Sequence, residues 1–157
     1  MTDYTRLCEL LNKKKKLFFE LEAVTDGMVG ASVEEIEAAM EKRADIFSAI
    51  EATDKEISNA VKNDVEAKAA IDSKGSGEGL SAPLAAVYNG SLAVKAVANR
   101  ILQNEAMVRK HIEAQLEKLR ETIAELNTSG ESTAEKYHHT VVAGLNKQLE
   151  QDKEKLI

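Results

Sequence analysis

Apolar residues return every three and four positions along most of this chain, the rhythm of helices packed lengthwise against other helices. The longest run occupies residues 98–126, which hold no glycine, no proline and few β-branched residues. Followed from its run-up, the stripe reads Leu84, Val87, Ser91, Val94, Ala98, Ile101, Glu105, Val108, Ile112, Gln115, Leu119, Thr122 and Leu126. Leu102, Leu116 and Ile123 thicken it beside its polar stops. This stretch predicts a helix from about Ser81 to Asn127.

A first helix is predicted from about Asp3 to Thr25, on Tyr4, Leu7, Leu11, Phe18 and Leu21. Its one charged stop, Lys14, lies inside the run Lys13 to Lys16. That run reads as a solvated face whose long stems cover apolar neighbours. Gly27 and Gly30 end the helix and allow a turn. Ser32 and Glu35 then form the pattern of a capping box. The second helix follows through Val33, Ile36, Met40, Arg43, Phe47, Ile50, Asp54, Ile57, Val61, Asp64, Lys68 and Ile71. Its four charged stops read as slippage of a 3.6 pattern against a 3.5 template.

Residues 74–83, with three glycines, two serines and the only proline, predict a flexible hairpin tip. A second capping box at Ser132 and Glu135 opens a fourth segment carrying Tyr137, Val141, Val142, Leu145 and Leu149, interrupted by Gly144. The expectation is an all-α fold, an antiparallel hairpin of two long helices flanked by two shorter ones. Residues 1–127 form a three-helix bundle in this reading, and 128–157 an amphipathic partner-binding segment hinged through Asn127-Thr-Ser-Gly130. The long helices, about 40 and 45 residues, span roughly 60–68 Å, the short ones about 36 Å. Both short helices then fall on the half away from the tip. Residues 57–97 are left as an alanine-rich helix pair with Leu92, Val94 and Val97 partly uncovered.

Composition narrows the function more by exclusion than by suggestion. The 157 residues suit one domain, and 27 acids against 21 bases leave a net charge of −6. That balance argues against binding a nucleic-acid backbone. No apolar run approaches the roughly 20 residues of a membrane span, so no membrane insertion is expected. The opening Met-Thr-Asp-Tyr-Thr has no signal-peptide core, and the lone Cys8 excludes an internal disulfide, so a cytoplasmic location is expected.

Chemistry is hard to find. Glu135 and His138 have the spacing of a carboxylate-bridged di-metal bundle, but three histidines cannot complete one, and Val108 stands where His111 needs an acid. The adjacent His138 and His139 point to different helix faces and read as surface. The tip glycines lack the lysine of a phosphate-binding loop, and there is no nucleophile elbow and no Cys-x-x-Cys. No enzyme activity, metal or cofactor is expected.

The order of parts nevertheless resembles a known family. Leu7-Cys-Glu-Leu-Leu11 precedes a short turn and Ser32-Val-Glu-Glu-Ile-Glu-Ala-Ala-Met-Glu-Lys-Arg-Ala-Asp-Ile-Phe47. Then Ile101-Leu-Gln-Asn-Glu105 leads a long amphipathic helix, and a tyrosine-containing segment follows. This is similar to the flagellar type III export chaperones, best the FlgN type serving hook-associated proteins. The FliT type is also close over Ile101 to Ile123. The resemblance implies a non-catalytic chaperone that captures the helical terminus of a hook–filament junction protein, keeps it monomeric and delivers it to the export gate. It places substrate capture on Val141, Val142, Leu145 and Leu149, and docking to the cytosolic domain of the gate on Tyr137. The family often has a glycine four residues after that tyrosine, where this chain has Val141. Two other readings stand beside it. One is a structural coiled-coil protein self-associating through the alanine-rich half, with a homodimer among the states allowed. The other makes the fourth segment a bundle helix packed on its own core.

Overall fold

The computed structural model describes residues 2–129 and 133–157. Among these are five helices and no strand: α1 (Tyr4–Met28), α2 (Val33–Ala60), α3 (Val65–Ile71), α4 (Ala82–Ser129) and α5 (Thr133–Glu154). They pack on one another through apolar faces, an all-α bundle as the periodicity predicts. No helix among the described residues is long and apolar enough to cross a membrane.

Local chemistry sets the helix ends. Asp3 caps α1, its Oδ1 accepting the Arg6 amide at 3.0 Å. Gly30 ends the turn after α1 with φ +72, a left-handed conformation that a side chain disfavours. Ser32 then caps α2, its hydroxyl accepting the Glu35 amide at 3.2 Å. Ser132 of the second capping box, like the hinge at residues 127–130, lies outside the residues whose side chains are described.

The long second helix is instead two helices. α2 stops at Ala60, and Asp64 is extended (φ −122, ψ 98), its Oδ1 accepting the Ala67 amide at 2.9 Å as the N-cap of α3. The charged stop at Asp64 is therefore a break, not slippage, because an aspartate can satisfy the amides of a new first turn. Its Oδ2 accepts the Thr2 hydroxyl at 2.7 Å and the Tyr4 hydroxyl at 2.9 Å. The Ala67 amide, then these two hydroxyls, hold the Asp64 carboxyl below its ordinary value. The bond to Asp64, followed by desolvation, raises the Tyr4 phenol.

Contacts divide the chain into two units. The first comprises Met1–Ala23 and Arg43–Arg100, and its core joins Leu7, Leu10 and Leu11 of α1 to Ile57, Val61, Ala67, Ala70, Leu84 and Val87. Residues 57–97 are thus not a bare helix pair, because α1 packs along them. α2 has 28 residues against 25 in α1, not the far longer helix that the periodicity predicts. Val94 and Val97 are buried, while Leu92 stays 41% exposed. Arg43, another charged stop, is buried with its guanidinium 5.5 Å from the Phe47 ring centroid. Arg100 grips Glu22 with two nitrogens, at 2.7 and 3.2 Å.

The tip of this unit is tied down. The Tyr88 hydroxyl donates to the Gly75 carbonyl at 2.9 Å, and a Cβ on Gly77 would sit 2.6 Å from the Tyr88 ring. Ser91 donates its hydroxyl to the Ile71 carbonyl, and Lys95 Nζ donates to the Asp72 carbonyl at 2.8 Å. Two α4 side chains one turn apart therefore close the carboxyl end of α3, where a positive charge is favoured.

Candidate functional site

The residues assigned to partner binding all lie on α5, in the second unit, Val24–Lys42 and Ile101–Ile157. The core here is Met28, Ala31, Val33, Ile36, Met40, Val108, Ile112, Val142 and Leu149. Packing thus groups α5 with residues 24–42 and 101–129.

The apolar stripe of α5 is split. Val142 and Leu149 are 0% exposed within that core, whereas Val141 and Leu145 are half-buried and pack against it, as do Leu116 and Leu119 of α4. Helical rotation turns Val141 aside from the line of Val142 and Leu149, whereas Leu145, three residues after one and four before the other, shares their face and is still left half-buried. Tyr137 is 72% exposed and carries its ring into solvent.

One polar contact ties α5 to α4, and others lie within α5 or between α4 and Ala31. Arg109 of α4 lies 2.9 Å from Glu150 of α5, and Gln148 donates to the buried Asp152 at 3.0 Å. His111 Nε2 lies 3.1 Å from the Ala31 carbonyl oxygen and 3.2 Å from the side-chain nitrogen of Gln115. His138 and His139 are half-buried rather than on the surface, and the buried Nε2 atom of each has no hydrogen-bond partner in the protein. The same holds for Asn146 Oδ1 and Gln115 Oε1. Each such atom costs about 1–3 kcal/mol when withdrawn from water. Gly144 adds a helix-interior glycine with nothing within 4 Å of its missing side chain. α5 is therefore well seated at two apolar positions and poorly satisfied at several polar ones.

Among the described residues, no group of three or more His, Cys, Asp or Glu side chains could hold a metal ion, and that includes the Glu135–His138 pair. The Arg109–Glu150 clasp escaped the sequence reading. No local pattern pairs them, because they stand on different helices and nothing in the spacing of either stripe marks the contact. No family model, curated protein or solved structure matches this chain.

Proposed function

We propose that this protein is a non-enzymatic, cytoplasmic export chaperone of the FlgN type, with the FliT type as its nearest variant. Its partner is the amphipathic helical terminus of a flagellar hook-associated protein, taken up by helix-in-groove recognition through α5. Tyr137, out in solvent on the same helix, is the proposed contact to the export gate.

The supporting observation is the split stripe. Val141 and Leu145 offer apolar surface that is already half open, next to buried Val142 and Leu149. Completing the burial of two such side chains yields only about 1 kcal/mol each, against about 8 kcal/mol for micromolar affinity. Capture therefore needs Val142 and Leu149 as well, with α5 turning its stripe toward the guest. The unpaired polar atoms and Gly144 lower the cost of that turn.

Calorimetric titration with a purified hook-associated protein tests the reading. A one-to-one complex is expected, lost in Val141→Asp/Leu145→Asp while helical circular dichroism is retained. Absence of binding to every hook–filament junction protein would overturn it. The exposed Leu92 supports the rival reading of a self-associating coiled-coil protein; a tight, concentration-independent oligomer in light scattering, with no affinity for such a partner, would favour that instead.

A further inference from the structure

We draw no further inference here: the strongest candidate, the half-buried apolar residues Leu116 and Leu119 on α4 and Val141 and Leu145 on α5 at the rim of the second core, borders the site already described, and nothing in the structure shows what covers them.

Discussion

Lys14 Nζ lies 2.7 Å from Asp54 Oδ1, so the charged stop in the α1 seam meets a charged stop in the α2 seam. The lysine ammonium also stands 5.9 Å from the Phe18 ring centroid, its side chain only 23% exposed. Asp54→Ala should cost about 0.5–1 kcal/mol, since it strands a partly buried cation. Lys14→Met/Asp54→Ala should recover most of that loss. Urea denaturation of the four proteins in a double-mutant cycle measures the coupling. A coupling under ~0.2 kcal/mol would mean that solvent screens the pair completely.

Asp64 and Tyr4 make stability depend on pH in opposite senses. The Asp64 carboxyl is lowered from 3.8, so its contribution is complete above that value and is lost as pH falls through the lower folded value. The Tyr4 phenol is raised from 10.0, so its contribution is complete below that value and is lost as pH rises through the higher folded one. Thermal melts followed by circular dichroism should show Tyr4→Phe flattening the alkaline decline. The same variant should keep most of the acid decline, because the Ala67 amide is the largest cause of the Asp64 shift. Asp64→Ala should remove both.

Two glycine substitutions should have opposite signs. Gly144→Ala adds a methyl group to a helix with open space around it and should stabilise by about 0.5–1 kcal/mol. Gly77→Ala places a Cβ at φ +74, 2.6 Å from the Tyr88 ring, and should destabilise by about 1–3 kcal/mol. Chemical denaturation checks both. If α5 is lent to a guest, the firmer helix of Gly144→Ala should also bind its hook-associated partner more weakly than wild type.

The stripe itself can be graded by truncation. Leu149→Ala, at a fully buried position, should cost about 2–4 kcal/mol, and the half-buried Leu145→Ala about half as much. Amide exchange along α5 adds the dynamic half of the question. Protection around Val142 as strong as in the core of α4 would show a helix that never leaves its seat, and the proposed mode of capture would fail.

The bundle was legible because its seams are long and regular: Leu7, Leu11 and Phe18, or Val87, Val94 and Ile101, are buried where the three-four rhythm puts them. Ser32 was legible for a local reason, a hydroxyl one step before an apolar run. Asp64 was misread because periodicity has no term for a carboxylate that prefers to cap a new helix. That error lengthened α2 and displaced α1 from residues 57–97. For α5, the apolar positions were visible, but their unequal burial was not, since it depends on which neighbours residues 24–42 and α4 supply.

The Glu22–Arg100 clasp spans 78 residues, whereas Ser91 reaches back only 20 to Ile71 and Lys95 only 23 to Asp72. During synthesis at roughly 5–20 residues per second, α1 therefore waits several seconds for α4, the last of the helices that share its core. The α3–α4 corner, in contrast, closes over a short loop almost as soon as it leaves the ribosome. The nascent chain consequently carries an α1 that α2 and α3 cover on one side only, and its high density of charges has to keep the open side dispersed until α4 arrives.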